Sequence, residues 1–356
     1  MHMADALVSP AVAVTMYAAS AAAAGVSLVQ LHKEEAAAPE LAKKKLPTMA
    51  VMSALVFAGQ MINYTIPGTG SSGHLCGGML LSAILGPWAG FLSMIVILAI
   101  QALFFADGGL LALGANVWNM AFYGCFVGYF LIYRPLMQGK LLSGKGRTKL
   151  ALASVLGCVV TLQLGAFSVV VETSLSGITA LPFGAFAALM QPIHLAIGLV
   201  EGGITAAVLL FVYQTRPELL QCASAGAKNR CSRRAALAIL AAAALVIGGG
   251  LSLLASANPD GLEWSLFGNE EAGYSANMGL DEEAYGAESA AAEKAAAVQE
   301  KTSLLPDYNF ADSDSAAGTS VSGLVGCALV AALAAIISLA GRTARKKSGK
   351  KQASAG

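Results

Sequence analysis

Of the 22 Lys and Arg residues, 20 fall in alternate gaps between long apolar segments, and no other property of the sequence restricts its fold as much. The long runs lie near 8–30, 47–63, 88–105, 109–133, 150–171, 186–213, 235–256 and 319–341. Each is long enough to cross a membrane as a helix. A shorter apolar segment, 74–86, ends before Pro87. As a helix it reaches only about 20 Å, so it either half-crosses the membrane or is shielded by its neighbours. Counting it gives nine crossings.

Cationic loops stay on the cytoplasmic side, which tests that count. Lys33, Lys43, Lys44 and Lys45 follow the first segment, and Arg134, Lys140, Lys145, Arg147 and Lys149 follow the fifth. Arg216, Lys228, Arg230, Arg233 and Arg234 follow the seventh, and six more lie between Arg342 and Lys351. They share one side only if 74–86 is a crossing. Composition agrees with lipid as the main solvent, since the chain is 56% hydrophobic and 12% charged, against about 25% charged in soluble domains. The net charge of +1 conceals this segregation, which neither a nucleic-acid binder nor an acidic enzyme would show. The expectation is an all-α membrane protein: a polytopic helical bundle of about nine membrane segments in the plasma membrane, N-terminus outside and C-terminus inside.

The chain changes character near residue 214. Residues 1–214 hold seven segments joined by short loops, and 215–234 form a basic cytoplasmic linker. Residues 235–356 hold two further spans around an external segment, 257–317, with 13 acidic and two basic residues. Within it, the Ala/Glu-rich tract 284–300 predicts solvated helix or disorder. The start MHMAD lacks the positive region of a signal peptide and carries Asp5, which predicts an uncleaved start with Asp5 as a helix N-cap. The six cysteines form no CxxC or CxxxC pair and read as apolar filler.

The stretch GTGSSGH from Gly68 to His74 matches three catalytic patterns and fails the context each requires. As a dinucleotide fingerprint it lacks a preceding soluble strand and the later acid. As a phosphate loop it has His74 where Lys belongs. Gly70-Ser71-Ser72-Gly73 also reads as the G-x-S-G of a rhomboid-like intramembrane serine protease, with Ser72 as nucleophile and His194 as base. The second-span His and Asn that serve the oxyanion in such proteases have no counterpart in this sequence.

His2 carries a more specific chemistry. The α-amine of Met1, the amide nitrogen of His2 and its Nδ1 can close two adjacent chelate rings, of five and six members, around one metal ion. One equatorial position stays open. Ni(II) or Cu(II), which prefer planar nitrogen coordination, would fill it with another imidazole, and His74 is the donor at hand. Gly68, Gly70 and Gly73 would let the loop approach the ion closely. Met1 is expected to be retained, because His is too large a second residue for its removal. With reference pKa values near 6.5 for His and about 7.7–8.0 for the amine, such a site predicts affinity that falls steeply below neutral pH.

The start MHMADALVSP, the stretch QMINYTIPGTGSSGHLCGGMLLSAILGPWAGFL at 60–92 and DGGLLALGANVWNM at 107–120 resemble the CbiM/NikM family. These are the substrate-binding (S) components of energy-coupling factor transporters for cobalt and nickel. PDGLEWSL at 259–266 and LPDYNF at 305–310 resemble the NikN-type accessory component. The resemblance covers nearly the whole chain and implies a fused NikMN-like protein. It implies Met1, His2 and His74 as the ligands of Ni²⁺ or Co²⁺, and a NikN-like portion that helps load or gate the site. It also implies separate ATP-hydrolysing ABC subunits and a transmembrane coupling (T) subunit as partners. Where the family commonly has Ile after the N-terminal His, this chain has Met3.

The chain is thus expected to be a transporter component with metal as cargo, not an enzyme, with no prosthetic group and no nucleic-acid partner. Gln60, Asn63, Asn116 and Asn119 are expected either to orient His74 by hydrogen bonds or to serve as ordinary helix contacts. His194 and Glu201, seven residues apart, share a helix face and predict a buried structural or coupling pair rather than a second metal site.

Overall fold

The computed structural model describes residues 1–139, 145–178, 181–222, 229–275, 289–310 and 315–353. Lys140, Lys228 and residues 284–288, used above, lie outside the described residues. Helix α1 (Pro10–Ala37) begins where the Ser9 hydroxyl accepts the amide of Val12, with Pro10 at its first position. This corrects the expectation for Asp5, which lies in a separate 3₁₀ turn, Asp5–Leu7, and accepts the amide of Ala112 instead. Ser9 takes the role because it directly precedes the proline that fixes the first helical φ.

Helix α2 (Pro39–Gln60) leads into a short antiparallel hairpin, β1 (Tyr64–Ile66) and β2 (Ser71–Gly73). Next come α3 (Gly78–Leu85), α4 (Pro87–Phe105) and α5 (Leu113–Gln138), the last with wide π-helical turns from Val117 to Tyr133. Helices α6 (Gly146–Ser176) and α7 (Phe183–Thr215) form a close pair. A Cβ on Gly202 of α7 would lie 2.6 Å from Cα of Val155 on α6, so only glycine permits this approach.

The final third contributes α8 (Arg233–Gly249), α9 (Gly261–Phe267), α10 (Ala290–Thr302) and α11 (Ala316–Ala353). The Ala/Glu-rich tract is thus helical from Ala290 onward. Helices α8 and α11 pack on α2, α9 on α7, and α10 on α4 and the Asp5–Leu7 turn.

The expectation of nine crossings meets six helices that are long and apolar enough among the described residues: α1, α4, α5, α6, α7 and Ala316–Ser338 of α11. Helix α2 opens with a lysine run and a proline inside the helix, α8 has 17 residues, and α3 has eight. All eight residues of α3 are buried, as a short segment shielded by its neighbours requires. Large apolar side chains on α1, α6 and α7, including Val14, Leu28, Phe167 and Leu199, point outward. On a multi-pass membrane protein that surface meets lipid.

Candidate metal site

The N-terminus is tied down by an exchange of hydrogen bonds with α5. The Met3 amide donates to Asn116 Oδ1 at 2.7 Å, and Asn116 Nδ2 returns a bond to the Met3 carbonyl at 3.1 Å. That carbonyl also accepts the amide of Gly109 at 2.9 Å. A Cβ on Gly109 would lie 1.8 Å from Asp5 Oδ1, so the glycine pair in DGG admits the N-terminal strand. Met1 and Met3 are buried, at 5% and 0% exposure. Burial of each stabilises by about 1.5–3 kcal/mol, which offsets the cost of ordering their backbone, about 1–2 kcal/mol per residue.

This docking brings His2 beside His74, their rings stacked with centroids 5.2 Å apart and planes at 21°. Nδ1 of His74 lies 3.1 Å from the Leu75 carbonyl, which can only accept, so the proton is on Nδ1 and Nε2 is a bare donor to metal. A relay sets His2. Gln60 Nε2 donates to the Cys76 carbonyl at 2.8 Å, and Gln60 Oε1 accepts from Gln101 Nε2 at 2.9 Å. Gln101 Oε1 is left to accept from His2 Nε2, 3.3 Å away. That tautomer bares Nδ1, the nitrogen a chelate through the His2 amide needs. Nδ1 and Asp107 Oδ1 then stand as two acceptors 3.1 Å apart, an arrangement relieved by a proton between them or by a metal ion taken up at Nδ1 in place of Asp107.

The amine of Met1 is held by the PDGLE segment. Asp260 is the N-cap of α9 and, with Glu263 at the third helical position, forms a capping box. Its Oδ1 accepts the amides of Leu262 and Glu263 at 2.7 and 2.9 Å, leaving Oδ2 free to pair with the Met1 ammonium at 2.9 Å. Pro259 anchors the segment to the histidine loop, its carbonyl accepting the Ser72 amide at 2.8 Å. Tyr308, from LPDYNF, donates to Asp107 Oδ2 at 2.5 Å and stacks on Phe105. Both NikN-like motifs thus reach the partners of Met1 and His2.

Burial opposes charge on the amine, but Asp260, through its field and its hydrogen bond, outweighs it and raises the amine pKa above its ordinary value. Burial lowers the pKa of His2 despite Asp107. His74 is lowered to about 4, by burial first and then by the Met1 ammonium and His2. Burial would raise the Asp260 pKa, yet the ammonium and His74 hold it below the usual carboxylate range. At neutral pH the imidazoles are therefore neutral, and the ammonium carries the proton that a metal must displace. A cavity of ≈ 470 Å³ adjoins this point, lined in part by His2, His74, Asp107, Asp260, Glu263 and Asp307. Among the described residues no group of three or more His, Cys, Asp or Glu side chains is arranged to hold a metal ion. The donor set here includes the chain's own amine and amide.

The structure brings Met1, His2 and His74 together and assigns the other predicted residues different tasks. Gln60 acts through Gln101 and Cys76 rather than on His74. Asn63 lines the cavity, and its carbonyl accepts the Ser256 amide. Asn116 fixes Met3, while Asn119 donates to Glu172 at 2.7 Å and to Met3 Sδ at 3.6 Å. The loop glycines shape the hairpin: Gly68 and Gly70 make its turn, and Gly73 backs onto Ile197. The supposed dyad is not formed, since Ser72 Oγ donates to the Asn258 carbonyl at 2.8 Å and His194 Nδ1 to the Met190 carbonyl. His194 and Glu201 are both buried but make no hydrogen bond to each other; Glu201 accepts the amides of Cys76 and Gly77, both at 2.9 Å, and so caps the entry to α3 just beyond His74. Gln101, Asp107 and Asp260 were missed as site residues, and Glu201 was read as a partner of His194 rather than of the Cys76 and Gly77 amides. Gln101 is readable as a polar residue inside an apolar span.

Residues 2–219 match the family model "cobalt uptake substrate-specific transmembrane region" (CbiM), and residues 234–343 match the PDGLE domain. The putative fused nickel transport protein NikMN of Archaeoglobus fulgidus is 33% identical over 97% of this chain and 100% of its own length. The cobalt transport protein CbiM of Sorangium cellulosum is 35% identical over 49% of this chain and 76% of its own. A crystal structure of a truncated transition metal transporter, 34% identical, superposes with a TM-score of 0.50 over 60% of this chain and 98% of the other. With one model covering the bundle, a second covering the segment that reaches Met1, and a relative matched along its full length, the chain belongs to the CbiM/NikM family in its form fused to a PDGLE domain.

Proposed function

We propose that this protein is the substrate-binding component of an energy-coupling factor importer and captures Ni²⁺ or Co²⁺ at the outer face of the plasma membrane. The observation that carries the reading is that the His2 ring stacks on the His74 ring and both line a cavity with Asp260, the carboxylate that holds the buried Met1 amine. The equatorial plane consists of the amine, the His2 amide nitrogen, His2 Nδ1 and His74 Nε2. Metal entry displaces the proton shared by the amine and Asp260, and it replaces Asp107 at His2. Residues 1–214 form the capture domain, 215–234 a cytoplasmic linker, and 235–356 the NikN-like part that loads or gates the site. Separate ABC subunits hydrolyse ATP, and a T subunit couples them to this chain. Equilibrium titration of purified protein with Ni²⁺ and Co²⁺ tests the site. One equivalent is expected to bind, and His74→Ala is expected to weaken binding about a hundredfold, roughly the share of one ligand in a four-ligand site. Unchanged affinity in both His74→Ala and His2→Ala would remove the assignment.

The pH dependence follows from the site's electrostatics. A raised amine pKa keeps the non-binding ammonium present through neutral pH, whereas lowered imidazole pKa values keep those rings available. Affinity is therefore lost as pH falls, and the amine rather than the histidines governs the loss. The amine and the His2 amide each release one proton, so affinity should climb about a hundredfold per pH unit across neutrality. Above the raised amine pKa the climb should ease to about tenfold. Competition titrations with a chelator of known affinity measure this slope, and a flat curve across neutral pH would contradict nitrogen ligation.

Orientation has its own test. In a Cys-free background, single cysteines within 257–317 are expected to react with an impermeant maleimide in intact cells, and those within 140–147 are not. The reverse pattern would place the site on the inner face.

A further inference from the structure

Glu201, on α7, is 1% exposed, and its oxygens accept two successive backbone amides, Oε2 that of Cys76 and Oε1 that of Gly77, both at 2.9 Å. The first amides of a helix need acceptors, but a carboxylate buried inside a membrane protein is a costly way to supply them. The other edge of the peptide between Cys76 and Gly77 shows what else the carboxylate does. The Cys76 carbonyl accepts Gln60 Nε2 at 2.8 Å, and that bond starts the relay through Gln101 to His2. One peptide plane therefore joins the carboxylate of α7 to the ring of His2.

Every bond of the relay points the same way. His2 Nε2 donates to Gln101, Gln101 to Gln60, Gln60 to the Cys76 carbonyl, and the Gly77 amide to Glu201. A carboxylate at the accepting end polarises such a chain and strengthens each link. The glutamines do not secure this direction, since either can turn its amide end for end. Nor does the backbone, because Gly77, at φ 80°, tolerates either sign of φ and lets the peptide before it turn over at little cost. After that turn the Gly77 amide would face Gln60 and the Cys76 carbonyl would face Glu201, which as a carboxylate has no hydrogen to donate. Glu201 is thus the group that opposes the reversal.

Two acceptors compete for the proton of His2, Gln101 Oε1 beside Nε2 and Asp107 Oδ1 at 3.1 Å from Nδ1. With the relay reversed, Gln101 would present its NH₂ group to Nε2, and the ring proton would pass to Nδ1, the nitrogen the chelate must use. We propose that Glu201 is a positioning residue for metal capture: by fixing the peptide between Cys76 and Gly77, it keeps the proton of His2 on Nε2 and leaves Nδ1 open to the cation. This rests on the capture reading above and adds no ligand to it. Carboxylates commonly orient metal-binding histidines by direct contact. Here the backbone amide, Gln60 and Gln101 stand between the two.

Nitrogen magnetic resonance of the metal-free full-length protein, grown on histidine with heavy nitrogen in the ring, reads the tautomer directly. The His2 signals are those lost in His2→Gln. At neutral pH the parent should show Nε2 protonated and Nδ1 bare. Glu201→Gln keeps the size of the side chain but sets an NH₂ group against one of the two amides. Its His2 proton should move at least in part to Nδ1, and its Ni²⁺ affinity should fall about tenfold or more. Gln101→Leu cuts the last link while leaving Glu201 in place, and it should move the proton the same way even if Glu201→Gln does not fold. A helix cap alone would lower stability without changing the tautomer. A parent ring protonated on Nδ1, alone or together with Nε2, overturns the proposal. So does a ring that stays protonated on Nε2 alone in Glu201→Gln or in Gln101→Leu. Failure of a parent with the expected tautomer to bind Ni²⁺ or Co²⁺ removes the capture reading, and with it the purpose assigned to Glu201. A wrong tautomer in a parent that binds metal overturns the role of Glu201 alone.

Discussion

Asp260→Ala is expected to release the N-terminus, raising the reactivity of the Met1 amine toward a small acylating reagent about a hundredfold or more. The pair it breaks is nearly enclosed, with side-chain exposures of 3% for Met1 and 17% for Asp260. Removing one partner of a buried ion pair costs about 3–5 kcal/mol, because the other charge is left in an apolar site. The ammonium therefore leaves for water and takes the first residues with it. Loss of the α9 cap adds about 1 kcal/mol and loosens the PDGLE segment itself. Asp260→Asn separates the two effects, since Asn caps helices as well as Asp but carries no charge. Its amine should react at a rate between those of the parent and the Ala variant. The shifts at the two partners set the pH range over which the pair holds. Asp260 is depressed, so its contribution is lost as pH falls through that low pKa, and the amine is raised, so the pair is lost as pH rises through the higher one. Protection should therefore be greatest between those limits. An amine equally protected in parent and Ala variant would show that Asp260 does not hold the N-terminus.

The parts of this fold legible in the sequence are those set by local pattern. Long apolar runs became α1, α4, α5, α6, α7 and α11, and the short run before Pro87 became the enclosed α3. The chelating potential of Met1 and His2 was also legible, because it depends on covalent spacing alone. The capping box in PDGLE could have been read from Asp260 and Glu263. What it does could not: the second oxygen of Asp260 meets an amine 259 positions away. Only the folded chain shows that PDGLE serves Met1. The same holds for Gln101, whose role depends on Gln60 passing a hydrogen bond from the loop carbonyl of Cys76 toward His2. The π-helical turns between Val117 and Tyr133 had no signal, since that stretch contains no proline and keeps an ordinary apolar composition.

Register gives the sharpest separation between a chelate built by the N-terminus and a site built from side chains. Inserting one Ala between Met1 and His2 should leave Met3 docked on Asn116, because both bonds of that exchange lie inward of the insertion. The imidazole next to Met3 then keeps its place while the amine is pushed one residue further out, beyond Asp260. The lengthened arm now offers an amine, two amides and an imidazole, which can fill all four planar positions of Ni(II) or Cu(II) without help. In the parent, His74→Ala should weaken binding about a hundredfold, whereas in the insertion variant the same change should alter it by less than about threefold. Transport should nevertheless fail with the insertion, because a metal saturated by the arm is neither docked to the histidine loop nor readily released. Mass spectrometry must confirm that the first methionine is still present, since a new Ala in second position invites its removal and would leave His second again. If intact insertion protein depends on His74 as strongly as the parent does, the amine and amide are not ligands, and His2 acts as an ordinary side-chain donor or not at all.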